Sequence, residues 1–520
     1  MKKLISVLCA ICLIMSIVSG CDKVRKIDIS DNSENSSVDV QEIPVYTEKI
    51  ISSSTPKYVK YSKTIEAENG TVKGTAKVSK KIKGYKGKGY VDGISADVKD
   101  SLAVKFAPKI KQYYNITLRV LSDKEVVNAI ALNGKEVKKF STSGSGKFET
   151  VTFENLYIDS ESFEVSVIAY DGGIAVDNIK VEASDDISKL SLGFKKRPKL
   201  INKSKNTNTV NLYNKFLDNY GKSIFSGQYA SVGANEELDL IYKTTGKYPA
   251  IRHGDMLSYT SDSLNVDEIE QAIEWAKKGG IVSYMWHWSS PSDDNVYYAS
   301  ETSFDLSKAV TKENIAQMPI EDIERLQNAG KVSKECVALI KDIDAVSEQL
   351  LKLKNLDIPV LWRPLHDASR TSVGFWWGGS GFKNYDWLWK LLYNRQTKYF
   401  KLDNLIWVWS AQSKDWYVGD DYCDIISADI YDNGSESSQI IAFLSLYDIS
   451  QNKPIALSEC ANVPGIENVV RDKAMWSWFG VWSGNYIISK DGSLSEEYIT
   501  KDRLIEVYNN DKVITLDKLK

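Results

Sequence analysis

The run Ile358-Pro359-Val360-Leu361-Trp362-Arg363-Pro364-Leu365-His366-Asp367, followed by Phe375-Trp376-Trp377-Gly378, decides how this chain is read. Its first half is an apolar run of the length of a buried parallel strand. Leu361 to Arg363 then lie in a sheet, and His366 and Asp367 emerge where the strand opens into a loop. A guanidinium, an imidazole and a carboxylate beside two tryptophans are poor material for a core. They suit a sugar site, because indole faces stack on pyranose rings while carboxylates move protons.

Working outward, the same pattern recurs. Beyond residue 209, eight β-like runs alternate with helical ones: Ile224–Gln228, Ala250–His253, Ile281–Trp286, Pro359–Arg363, Leu405–Ser410, Ile425–Tyr431, Ile455–Glu459 and Phe479–Trp482. Amphipathic stretches such as Val266–Lys278, Val337–Asn355 and Tyr385–Lys401 separate them. Eight strand–helix units in about 300 residues predict an α/β fold, a (β/α)8 TIM barrel over 210–520. The stretch between Trp288 and Cys336 is long for a barrel loop and is expected to overhang the site.

Catalytic groups of such barrels stand on the loops after the strands. Here those positions carry Trp286-His287-Trp288, then His366-Asp367, then Asp429, Tyr431 and Asp432, then Ser458-Glu459, and finally Trp482. The carboxylates of the fourth and seventh strands face each other across the mouth. Retaining glycosidases need such a pair about 5–5.5 Å apart, and mutual repulsion helps one member keep its proton.

Charge and composition fit a polysaccharide substrate better than nucleic acid. There are 66 basic and 69 acidic residues, a net charge of -3, so no electrostatic case exists for a nucleic-acid partner. All 14 tryptophans lie at or after Trp275 and the 3 histidines are His253, His287 and His366, so the earlier part of the chain is built for different chemistry. Residues 61–184 consist of short β-rich runs, such as Tyr113–Val120 and Phe163–Ala169, broken by the turn signals Asn133-Gly134 and Asp171-Gly172-Gly173. This predicts a β-sandwich of jelly-roll type. Glu66 and Glu68 share a strand face, and pairing of the first and last strands would bring Asp177 beside them, three hard oxygen ligands suited to Ca2+.

The N-terminus, residues 1–20, reads as a secretory signal: Lys2 and Lys3, an apolar Leu4–Val18, then Val18-Ser19-Gly20-Cys21. The last four resemble a bacterial lipobox, which implies lipidation of Cys21 and a membrane anchor at the cell surface. Residues 21–60 are expected to be a flexible tether and 185–209 a linker. Of six cysteines, Cys336, Cys423 and Cys460 remain after the signal and Cys21, without zinc spacing or a disulfide framework. A monomer is expected.

Two family resemblances sharpen this. Ile65-Glu-Ala-Glu68, Gly84–Val91, Tyr114–Arg119 and Gly172–Asp177 resemble a family 35 carbohydrate-binding module, which implies a structural calcium at Glu66, Glu68 and Asp177. Phe225-Ser-Gly-Gln228, Trp286-His287, Arg363–His366, Phe375–Gly378 and Ala456–Glu459 resemble glycoside hydrolase family 26, best known for endo-β-1,4-mannanases. That resemblance implies Glu459 as nucleophile and the residue after His366, here Asp367, as proton donor. It implies a sugar subsite lined by His287, His366 and Tyr431, with Trp482 as platform. Trp286, Arg363, Trp376 and Trp377 are expected in the same cleft. The implied partner is β-mannan or a related plant polysaccharide, with no cofactor for catalysis. The same machinery on another β-glycan, or a silent glycan-binding lipoprotein, are the alternatives.

The chain departs from the family twice. Asp367 stands where the family has glutamate, one methylene longer, and displacements of about 1 Å can cost ~10²-fold in rate. Gly374 stands where a tryptophan is common.

Overall fold

A computed structural model describes residues 56–96, 101–194, 198–203, 205–260, 266–432 and 435–519. The expected signal, Cys21 and most of the tether lie outside the described residues. Among the described residues no helix is long and apolar enough to cross a membrane.

The first part is all β: β1 (Ser62–Glu66), β2 (Thr71–Lys73), β3 (Lys77–Ser79), β4 (Tyr90–Ile94), β5 (Ser101–Phe106), β6 (Gln112–Leu121), β7 (Val127–Leu132), β8 (Lys135–Ser141), β9 (Glu149–Ile158), β10 (Phe163–Ala169) and β11 (Ile174–Ala183). One antiparallel sheet runs β3-β4-β11-β6-β9, with β1 on β11, and the other β2-β5-β10-β7-β8. Alternation decides what each buries: Ile116, Leu118 and Val120 of β6 and Val165 and Val167 of β10 point into one core. Asn133 and Gly134 both take positive φ in the β7–β8 hairpin, the turn that Asn-Gly favours.

The second part is a closed parallel barrel of β12 (Ile224–Tyr229), β13 (Ile251–Asp255), β14 (Ile281–Met285), β15 (Val360–Arg363), β16 (Leu405–Trp409), β17 (Ile425–Ile430), β18 (Ile455–Cys460) and β19 (Trp478–Val481). The β12–β13 pairing closes the ring, and a short β20 (Val513–Ile514) pairs with the start of β12. These eight strands fall where the apolar runs place them. Strand period sorts their side chains: Leu361, Ile406, Val408 and Ala456 pack inside, while Trp362, Trp407, Trp409 and Leu457 join the outer cluster under the helices. The same alternation turns Arg363 inward at the upper rim. The lower end is plugged by the helix Thr207–Asn219, whose Phe216 ring sits 4.6 Å from Phe225 and 5.3 Å from Trp478.

The stretch 185–209, expected as a free linker, is packed in its described parts. Ile187 and Leu200 are buried, Ile201 N–H donates to Asp424 at 2.9 Å, and Asn202 donates to the Leu405 carbonyl at 3.0 Å. Its few apolar residues find barrel surface, which its Asn- and Lys-rich composition hides. The long insertion after Trp288 carries helices Leu306–Ala309 and Ile320–Asn328.

Candidate active site

Arg363 is the hub of the barrel mouth. Fully buried, it donates to Glu459 Oε1, to Asp429 Oδ2 at 3.1 Å, to Ser410 Oγ at 3.1 Å and to the Tyr229 hydroxyl at 2.8 Å. Glu459 Oε2 accepts the Tyr431 hydroxyl at 2.6 Å. Both oxygens of Glu459 are thus held in one orientation by hydrogen-bond donors. Irregularity in the ladder makes this possible. Register shifts after Ala428 on β17 and between Leu457 and Cys460 on β18 set Asp429 directly against Glu459, turning two carboxylates onto one rim.

Asp367 reaches the same rim by a different device. Leu365 and Asp367 both have φ of 53°, a left-handed pair that folds the loop back after β15, and Asp367 N–H donates to the Ser410 carbonyl at 3.1 Å. Its carboxylate is buried, takes a bond from Gln412 Nε2 and lies 3.2 Å from Arg370. Gln412 also reaches Asp429 at 3.3 Å. Burial pushes Asp367 up to about 6, against the attraction of Arg370, and the Glu459 charge adds to the rise. Burial likewise drives Asp429 well above the usual carboxylate range, against Arg363. Three carboxyl groups share two guanidiniums, so the cluster retains a proton well above the pH at which a free aspartate loses it.

Two histidines stand beside the carboxylates with ring centroids 4.7 Å apart. His287 Nδ1 is 2.6 Å from Asp255; burial works to lower its pKa, but that carboxylate overrides it and raises it. His366 goes the other way, kept neutral by burial and by Arg363 and His287. Trp482 is half-buried, 4.7 Å from the Tyr229 ring and 5.9 Å from His287.

The structure therefore brings together Arg363, His366, Asp367, Tyr431, Glu459, His287 and Trp482. It corrects three expectations. Trp286, Trp376 and Trp377 are buried and line no cleft. Trp286 stacks on Trp288 at 4.0 Å, Trp376 Nε1 donates to the Trp288 carbonyl at 2.8 Å, and Trp377 Nε1 donates to the His366 carbonyl at 2.8 Å. Trp377 packs against His366 with ring centroids 5.7 Å apart, while Trp286 and Trp376 pack on Trp288. Sequence reasoning missed Asp255, Arg370, Gln412 and Tyr229. Three of them end or follow strands, at β12, β13 and β16, and that position was the available signal. Arg370 has none beyond lying three residues past Asp367.

In the β module, Glu66, Glu68 and Asp177 are neighbours, and burial with the two other charges raises the Glu66 pKa. Glu66 Oε2 and Glu68 Oε2 are buried without partners. A Cβ on Gly87 would lie 2.6 Å from Glu68 Oε1, so the loop closes tightly over them. Asp177, however, is committed to Arg119 at 2.5 Å and to Lys86 N–H at 2.8 Å. Among the described residues no three-ligand set stands in metal-binding geometry. The two orphaned glutamate oxygens fit a cation, with Asp177 as a charged neighbour.

A parallel barrel whose rim presents a clamped carboxylate alongside a proton-retaining one defines a glycoside hydrolase. Residues 201–517 match the family model of glycosyl hydrolase family 26, and the chain belongs to that family. It is 30% identical over 475 residues to the mannan endo-1,4-beta-mannosidase of Thermothelomyces thermophilus, spanning 88% of this chain and 90% of that protein. A mannan endo-1,4-beta-mannosidase A of Piromyces is also 30% identical, over 87% of this chain and 72% of the other. Among solved structures, the chain is similar to the Podospora anserina GH26-CBM35 beta-(1,4)-mannanase, with TM-score 0.58, 29% identity, and coverage of 88% of this chain and 98% of that one.

Proposed function

We propose that this glycoside hydrolase cleaves β-1,4-linked mannan with retention of configuration. The observation that carries the reading is the pairing of Glu459, both oxygens clamped by Arg363 and Tyr431, with Asp367, whose burial keeps its proton up to about pH 6. In the first step a Glu459 oxygen attacks the anomeric carbon while Asp367 gives its proton to the glycosidic oxygen. The C–O bond to the leaving sugar breaks, and a glycosyl ester on Glu459 forms. In the second step the Asp367 carboxylate takes a proton from water, whose oxygen attacks the same carbon and releases Glu459. His287, His366 and Trp482 would hold the attacked sugar. The substrate rests on the names of the relatives.

The β module would be a family 35 carbohydrate-binding module with a Ca2+ at Glu66 and Glu68, and Cys21 would anchor the protein by lipid at the cell surface. Reducing-sugar release from soluble linear mannan tests the enzyme, with affinity electrophoresis on the same polymer as binding control. Retardation without sugar release would instead mark a binder. Release from another β-glycan but not from mannan would keep the mechanism and change the substrate.

A further inference from the structure

The β module and the barrel share one buried interface, and it converges on the loop that carries Tyr431. Tyr113 of β6 is buried in the barrel's own apolar cluster, its hydroxyl 2.6 Å from Ser437 Oγ. Tyr157 accepts from Asn468 at 2.9 Å, Tyr58 donates to Asp472 at 2.8 Å, and Arg471 donates to the Lys111 carbonyl at 2.9 Å. Ser437 lies between β17 and the helix Ile440–Ile449. Its Oγ accepts from Gln439 N–H at 3.1 Å, and the Gln439 side chain donates to Asp432 at 3.1 Å. Asp432 adjoins Tyr431, which donates to Glu459 at 2.6 Å. Gln439 has φ of 58°, a left-handed conformation that persists in a non-glycine residue only where its surroundings fix it.

We infer that the β module is a positioning element of the active site: Tyr113, through Ser437 and Gln439, fixes the segment that aims the Tyr431 hydroxyl at Glu459. The module therefore acts on bond cleavage itself, besides whatever polysaccharide it holds. This rests on the reading of Glu459 as nucleophile. Loss of the link frees the Tyr431 segment to drift by a fraction of an ångström, which costs about tenfold in turnover. It leaves the walls of the sugar subsite, His287, His366 and Trp482, in place.

The test uses the full chain and two matched deletions of one hydroxyl, Tyr113→Phe and Tyr157→Phe. Both remove a bond across the same interface, but only Tyr113 bonds Ser437 directly. Tyr157 meets Asn468, whose own 2.9 Å bond to the Glu436 carbonyl the Tyr157→Phe change leaves in place. On a short soluble β-1,4-manno-oligosaccharide, Tyr113→Phe should lower kcat about tenfold and leave KM within about twofold. Tyr157→Phe should match wild type. Hydrogen–deuterium exchange should quicken in peptides covering 426–443 for Tyr113→Phe alone. Ser437→Ala breaks the link from the barrel side and should reproduce both effects if Tyr113→Phe folds poorly. Unchanged kcat and exchange in Tyr113→Phe and Ser437→Ala would overturn the inference. So would an equal fall in Tyr157→Phe, the mark of general interface stability. If wild type cleaves no oligosaccharide, the mannanase reading fails, and the exchange comparison still decides the coupling.

Discussion

The proposed chemistry turns most on one residue, Asp367. Its carboxyl is carried on a loop that the left-handed Leu365 and Asp367 fold back after β15. Leucine in that region is strained, of the order of 1–3 kcal/mol, so the turn is held by its surroundings. The aspartate was visible in the sequence, but the turn that carries it was not, because φ at a leucine has no signature in residue order. With Gln412 and Arg370 closed around the carboxyl, an added methylene has nowhere to go. Asp367→Glu is therefore expected to lower kcat on mannan by about tenfold, measured by initial rates; a rise would mean a merely displaced acid. Asp367→Ala should abolish mannan hydrolysis yet still give a burst of phenol from an aryl β-mannoside, whose leaving group needs little protonation. If Asp367 is the proton donor, its protonated form is the working one, and with its pKa raised to about 6 kcat/KM should fall as pH climbs through about 6.

Among the elements, the strands were legible and the loops were not. Apolar runs such as Leu405–Trp409, short and flanked by turn residues, read as strands buried on both faces, and so the barrel could be counted out. The register shifts in β17 and β18 leave no trace in composition, and they decide that Asp429 stands beside Glu459. The tryptophans misled because an indole after a strand end reads as a platform until the loop's return is known. Trp288, on which Trp286 and Trp376 pack, has a pH signature. Trp288 Nε1 donates to Asp342 Oδ2 at 2.7 Å from the helix Lys334–Asn355, and burial raises Asp342 to about 7. A raised carboxyl favours folding in its neutral form, so that stability is full below the unfolded pKa and is lost as pH rises through about 7. Asp342→Asn keeps the acceptor and cannot ionise. Its melting temperature should exceed that of wild type by a few degrees at pH 8.5, an advantage that shrinks steadily as pH falls below about 7 towards 4; a constant difference across that range would rule out the ionisation.

For the whole molecule, the two-part layout was readable from the tryptophan boundary and the turn signals. The close seating of the parts was not, since it depends on Tyr58 and Tyr157 meeting the helix Ile466–Asp472 and Tyr113 meeting the loop after β17, all remote in sequence. The glutamate pair of the module gives a test at this scale. A cation bound at Glu66 and Glu68 stabilises only the folded state, so a chelator should lower the melting temperature of the full chain and added Ca2+ should restore it. Glu66→Gln combined with Glu68→Gln should be indifferent to both; a wild-type melt equally indifferent would remove the site. Cys21→Ala should shift the protein from the detergent phase to the aqueous phase if that thiol carries lipid.

The central claim is retaining hydrolysis of β-1,4-mannan through Glu459 and Asp367, and the anomeric proton of the first product tests it most directly. Proton NMR on a fresh digest of a β-1,4-manno-oligosaccharide should give the β-anomer first, with the α-anomer growing in only by mutarotation. The α-anomer appearing first, or no new reducing end at all, would contradict it.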